Sequence, residues 1–214
     1  MRISSSRILR VLSVVAGITL IGGAVAATPV SAAPAKPGAA GAMSGHCVIK
    51  LRPGLNKAPA LSCFGTFTEA LSYASGGAVT DAPAKATSSK ALTAKIEAAN
   101  TAALNPAAAQ AAPLVIGVEY SEPNFAGWTL TMSGSVSCTG QTTDVDYSLD
   151  LPSVAWDQIS SFTNFNICFT DHYFLQNFAL PRTGFQRTLP IVSSMNIGGG
   201  PFNGDNNTRS ITWS

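Results

Sequence analysis

Charge is scarce in this chain. Asp, Glu, Lys and Arg together make up 11% of it, and 13 basic against 11 acidic side chains leave a net charge of only +2. A surface this poor in charge has no electrostatic footprint for nucleic acid or for an anionic membrane. Histidine is scarcer still, with His46 and His172 alone, and there is no CxxC pair. Those absences exclude a zinc site of the usual spacing, and both histidines read as ordinary surface or half-buried residues. A long apolar run is missing too. The best candidate, Val11 to Ala27, is short for a span of about 20 residues, and Gly17, Thr19, Gly22 and Gly23 interrupt it.

What that run does fit is export. Arg2, Arg7 and Arg10 precede it and the small residues Val30-Ser31-Ala32 follow, the three-part layout of a secretory signal peptide over 1–32 with cleavage after Ala32. No Cys directly follows the run, so a lipid-anchored form has no attachment point. Removal of residues 1–32 takes away three arginines and no acid, leaving a net charge of −1. The expected address is secreted and extracellular, with no membrane partner after cleavage and a monomer in solution. In an oxidising compartment Cys47, Cys63, Cys138 and Cys168 are disulfides by default. Three pairings are open. Cys47–Cys63 with Cys138–Cys168 keeps each bridge within one region of the chain, and closing a loop of about 15 residues is worth on the order of 3 kcal/mol.

The 214 residues divide by composition. Residues 33–45 are Ala, Pro and Gly with little else, a flexible arm. Residues 46–80 form a small strand–helix segment. Val48-Ile49-Lys50-Leu51 is a strand broken by Pro53-Gly54, and Thr66 with Glu69 has capping-box spacing for a helix through Ala70, Leu71 and Ala74 that stops at Gly76-Gly77. So short a segment buries little, which makes the Cys47–Cys63 staple useful. Residues 81–113 are an Ala/Pro-rich linker. Ala91 to Leu104 has helix propensity but too few large apolar residues to dock firmly. From 114 to 214 aromatics and Ser, Thr, Asn and Gly take over. Trp128, Leu130 and Met132 alternate, as do Phe165, Ile167 and Phe169, and Ile211 and Trp213; period two predicts an all-β domain.

Within that domain one offset dominates. Val118 matches Ile167, Tyr120 matches Phe169, Phe125 matches Phe174, Asp157 matches Asn206, Ser161 matches Ser210 and Phe162 matches Ile211, always 49 residues apart and without a gap. Two units are therefore expected, 115–163 and 164–214, each of about four strands, packed face to face.

The recurring residues resemble a known family. Tyr120-Ser-Glu-Pro-Asn-Phe125-Ala-Gly127 resembles the folded-hairpin signature of βγ-crystallin Greek-key motifs, with a second copy read at Phe169-Thr-Asp-His-Tyr-Phe174-Leu-Gln176. Trp156-Asp157-Gln158-Ile159-Ser160-Ser161 and Asp205-Asn206-Asn207-Thr208-Arg209-Ser210 are similar to the calcium loops of microbial members. The resemblance covers about Val115 to Ser214 and implies a two-Greek-key β-sandwich. It also implies a ligand set of Asp157, Ser160 and the Gln158 carbonyl from one loop, with Asn206 and the Asn207 carbonyl from the other. Three residues depart from the pattern. Gln176 stands where a hairpin Gly is expected, which predicts a distorted second hairpin. Trp156 replaces the first Asn/Asp of one loop. Arg209 replaces a Ser/Thr that in the family gives the metal a side-chain oxygen. One weak calcium site is the most these loops support, given calcium's need for several hard oxygen ligands. The sharper expectation is that the Arg209 guanidinium takes a former cation position and pairs with a carboxylate, Asp157.

Other clusters read as structural. Asp144, Asp146 and Asp150 are expected on a solvated strand face. Gly198-Gly199-Gly200 lacks the Lys and helix of a phosphate cradle and reads as a long turn. Asp171 and His172 are adjacent strand residues facing opposite ways, with no nucleophile set beside them. No catalytic residue or cofactor other than weak calcium is expected. The favoured function is a non-enzymatic binding or structural protein with an extracellular protein, cell-wall or glycan partner. A secreted peptidase inhibitor and a killer-toxin-like antimicrobial protein, both known on this fold, are alternatives resting on analogy alone.

Overall fold

The computed structural model describes residues 43–56, 59–105, 112–187 and 206–214, all within the unit Ala33–Ser214. The expected signal segment, most of the arm, Asp205 and the Gly198-Gly199-Gly200 turn lie outside them. Among the described residues the chain is mostly β-sheet with two helices and two disulfides. In order these are β1 (His46–Lys50), β2 (Ser62–Phe64), α1 (Phe67–Ala74), α2 (Lys90–Ala103), β3 (Leu114–Glu122) and β4 (Ala126–Gly134). There follow β5 (Tyr147–Asp150), a 3₁₀ turn (Ser153–Ala155), β6 (Ser161–Asn164), β7 (Phe169–Tyr173), β8 (Gln186–Arg187) and β9 (Ser210–Trp213).

The strands make a sheet ordered β2-β1-β4-β3-β6 and a second ordered β5-β9-β7-β8. One core lies between the two sheets. It holds Ile49, Ile116, Leu130, Met132 and Phe162 from the first, and Tyr147, Leu149, Ile211 and Trp213 from the second. Alternation along the strands puts these residues on one face, as Leu130/Met132 and Ile211/Trp213 predict. Gly134 makes room for Tyr147, since a Cβ there would stand 2.5 Å from the phenol oxygen. That hydroxyl donates to the Val136 carbonyl at 2.8 Å and accepts from the Val136 N–H at 3.0 Å.

The region before residue 114 is part of this architecture rather than an appendage. β1 lies parallel against β4, from His46 opposite Thr129 to Lys50 opposite Ser133. Cys47 is bonded to Cys63 across the β1–β2 pair, and Cys138 to Cys168, the pairing expected from proximity in the chain. The arm ends in a docked residue: Met43 is buried and its N–H reaches the Val154 carbonyl at 3.2 Å. α1 starts on the full capping box, with Thr66 and Glu69 each accepting from the other's backbone N–H. Its Phe67, Ala70, Leu71 and Ala74 are buried, worth about 1.5–3 kcal/mol for each large side chain.

α2 corrects the linker reading, because it docks. Leu92, Ile96 and Asn100 form a narrow buried stripe four residues apart. The Asn100 carboxamide donates to the Val115 carbonyl and accepts from the Val115 N–H, both at 2.9 Å, as a neighbouring strand would. Helices and sheet enclose a second core that includes Phe67, Leu71, Ile96, Val118, Tyr120 and Phe125.

The gapless repeat also needs correction. Tyr120 packs edge-on against Phe125, with ring centres 5.5 Å apart, and the matching pair is Tyr173 with Phe178, at 5.7 Å. Ser161 Oγ accepts from the Phe125 N–H and donates to the Glu122 carbonyl; Ser210 Oγ does the same for Phe178 and Leu175. Strand partners agree, with Tyr120 opposite Ser161 and Tyr173 opposite Ser210. The first half of each unit thus repeats after 53 residues and the second half after 49. The second hairpin is Tyr173–Leu180, not Phe169–Gln176, and Leu180 rather than Gln176 stands where Gly127 stands. Phe165 to Cys168 form a turn in which Ile167 is 56% exposed at positive φ, so they do not continue an alternating strand.

Candidate functional site

The two loops read as a calcium pair do come together. Asp157 and Asn206, 49 residues apart, both hold left-handed backbone (φ 55° and 54°), a conformation that Asn and Asp tolerate better than most residues. Their backbones bond reciprocally: the Asp157 N–H reaches the Thr208 carbonyl at 3.1 Å, and the Asn206 N–H reaches the Ile159 carbonyl at 2.9 Å. Ser160 Oγ lies 3.3 Å from Asn206 Oδ1. Asp157, Ser160 and Asn206 therefore share one place in the fold.

The carboxylate of Asp157 is occupied. Arg209 Nη2 donates to Oδ2 at 2.8 Å, and Arg209 Nε lies 3.1 and 3.2 Å from the two carboxylate oxygens. This fork-on-carboxylate geometry is the strongest form of a charged hydrogen bond. The Asp157 hydrogen bond raises the Arg209 pKa, so the guanidinium stays charged. The same guanidinium stands 5.4 Å from the Trp156 ring centre, within cation–π range. Trp156 is anchored by its Nε1–H to the Leu151 carbonyl at 2.7 Å. The Gln158 side chain turns back to donate to the Val154 carbonyl at 2.9 Å, and Asn207 is exposed. Among the described residues no group of three or more His, Cys, Asp or Glu could hold a metal ion.

The remaining polar candidates are spread through the fold. Asp144 and Asp146 precede β5 instead of lining a strand face. Asp146 Oδ2 accepts from the Thr139 N–H at 2.8 Å, and Asp150 Oδ1 accepts from the Asn177 N–H at 2.7 Å. Asp171 and His172 face opposite sides. Asp171 takes Arg182 at 2.6 Å and Thr183 Oγ1 at 3.2 Å, while His172 points into the core.

His172 is neither a surface nor a half-buried residue. Its Nε2 stands 3.2 Å from Glu119 Oε2, both side chains are fully buried, and the Phe162 ring packs on the imidazole at 4.7 Å. Glu119 and His172 are 53 residues apart, the spacing of the two hairpins, so equivalent positions of the two units meet across the core. His46 is buried as well, beside Thr129 Oγ1 at 3.0 Å and Phe67, and burial lowers its pKa. The signal for the Glu119 pair was in the sequence, as a lone carboxylate within the apolar run Leu114–Tyr120.

Comparison with known proteins finds no matching family model and no significant match among curated proteins or solved structures. Among the described residues no helix is long and apolar enough to cross a membrane, and the two disulfides suit an oxidising environment.

Proposed function

We propose that the chain is an exported, non-enzymatic binding protein of βγ-crystallin type in which an ion pair has taken over the structural duty of calcium. The Arg209–Asp157 pair carries the reading. In the resembled family the two loops share cations; here the reciprocal loops are retained while a guanidinium is held on the carboxylate. The Greek-key part is supported by strand exchange, since β5 from the first unit pairs with β9 in the sheet that holds β7 and β8. It is supported equally by the hairpin contacts, made once around Ser161 and once around Ser210. The non-enzymatic part rests on the commitments of the polar groups: Asp157 to Arg209, Asp171 to Arg182, and His172 to Glu119.

Thermal melting with calcium and with chelator tests the proposal. An ion that binds only the folded state stabilises it by mass action, about 2.7 kcal/mol at a hundred times its Kd. For a chain of this size that corresponds to a rise of roughly 5–10 °C. The native protein should shift by no more than about 2 °C in millimolar calcium, as for a Kd near millimolar. Arg209→Ser, which frees Asp157 and restores a hydroxyl, should gain a clearly larger shift. Two micromolar calcium sites in the native protein would overturn the reading.

A further inference from the structure

The two residues that break the calcium pattern build something together. Trp156, fixed by the Leu151 carbonyl and by Arg209, lines an open groove of about 810 Å³ with Leu55, Asn56, Asp150, Ser153 and Gln176. Leu55 is 54% exposed, so the groove has an aliphatic wall as well as an aromatic one. Among the described residues the side chains of Asn56, Ser153 and Gln176 make no hydrogen bond. Asp150 Oδ1 accepts from the Asn177 N–H, and Oδ2 has no partner among the described residues. The groove thus offers two carboxamides, a hydroxyl and one carboxylate oxygen between apolar surfaces.

We propose that this groove binds a neutral oligosaccharide, a reading that rests on the binding-protein function above and names its ligand. A pyranose ring has apolar C–H faces and an equator of hydroxyls that both donate and accept. The faces suit Trp156 and Leu55. The hydroxyls suit carboxamides, which also donate and accept, and a carboxylate oxygen, which accepts up to two hydrogen bonds. A few convergent polar groups on an apolar, preformed surface are the usual makeup of a small-ligand site. Asp150, with no cation among the described lining residues, disfavours uronic or sulfated sugars through like charge. No metal is needed, because Arg209 already holds the loop beneath Trp156.

Calorimetric titration of the exported full chain with cellopentaose, chitopentaose and an oligogalacturonate tests this. One of the two neutral oligomers should bind with a Kd between about 10 μM and 1 mM, equally in calcium and in chelator, and the acidic oligomer more weakly. Trp156→Ala should weaken binding by roughly tenfold or more. Because that change also removes the anchor of Arg209, Asn56→Ala/Gln176→Ala is the second probe. It breaks no side-chain hydrogen bond among the described residues and should leave melting unchanged while weakening binding at least about fivefold. No binding of either neutral oligomer up to roughly 5 mM, affinity untouched by the double variant, or tighter binding of the acidic oligomer would each overturn the proposal. The sugar titration judges the groove, and the calcium melt separately judges the function on which it rests.

Discussion

In the first unit Tyr120 packs on Phe125 while Ser161 ties the hairpin down; in the second, Tyr173, Phe178 and Ser210 hold the same places. Around that shared knot nearly everything else differs. Gly127 turns at φ 83° where the second hairpin has Leu180, ahead of a cis peptide to Pro181. Helices α1 and α2 cover the sheet of the first hairpin, whereas Asp171 of β7 is covered in part by Arg182 and Thr183. Asp157 and Asn206 keep the same backbone twist, but a charge pair sits on only one of them. The contacts that close each hairpin are common to both, while the groups that face solvent or ligand have diverged.

The largest expected effect lies where the units meet. Removing one member of a fully buried hydrogen-bonded pair leaves the other without its partner, at about 3 kcal/mol. His172→Leu alone should therefore lower stability in urea by that order, while Glu119→Leu/His172→Leu should recover most of it. A double variant no more stable than the single would show that the pair is not the joint between equivalent positions. Next come the serines. Each makes two hydrogen bonds from a fully buried side chain, and each Ser→Ala should cost about 1–3 kcal/mol by denaturant melting. Equal losses sharpen the equivalence; a loss at Ser161 alone would break it. The smallest effect separates the hairpin tips. Gly127→Ala forces a Cβ into a positive-φ residue and onto Ser121 Oγ, costing roughly 1–2 kcal/mol. Leu180→Gly, at a 69% exposed residue, should stay within about 0.5 kcal/mol in the same assay.

Several features could be read directly from the residues. The capping box at Thr66–Glu69, the disulfide partners and the inward set Leu130, Met132, Ile211 and Trp213 depend on local chemistry or on period two, both visible in a single sequence. The second hairpin was harder because two frames have aromatics five residues apart, Phe169 with Phe174 and Tyr173 with Phe178. The deciding pattern is Asn-Phe-Ala placed four residues after each Tyr, at Asn124 and at Asn177. It requires an insertion between hairpin and loop, which a constant offset hides. The docking of α2 was hidden for a different reason. Counting large apolar residues undervalues Asn100, whose amide completes the hydrogen bonding of a β3 residue. In the candidate site, the Arg209–Asp157 pair followed from one substitution in a patterned loop. The groove did not, because Leu55 and Asn56 reach it from a hundred residues away.

The parallel lie of β1 against β4 also governs how the chain acquires its structure. β1 and β2 can pair at once and be locked by Cys47–Cys63, but the partner of His46 is Thr129, 83 residues further on. Contacts so distant in sequence must await closure of a long loop, and folds dominated by them form slowly, over milliseconds to seconds. A chain emerging N-terminus first therefore has an unpaired β1 edge until β4 follows. That edge is five residues long and ends in Lys50. Brevity and a terminal lysine are both devices that discourage a foreign strand from adding to it during that interval.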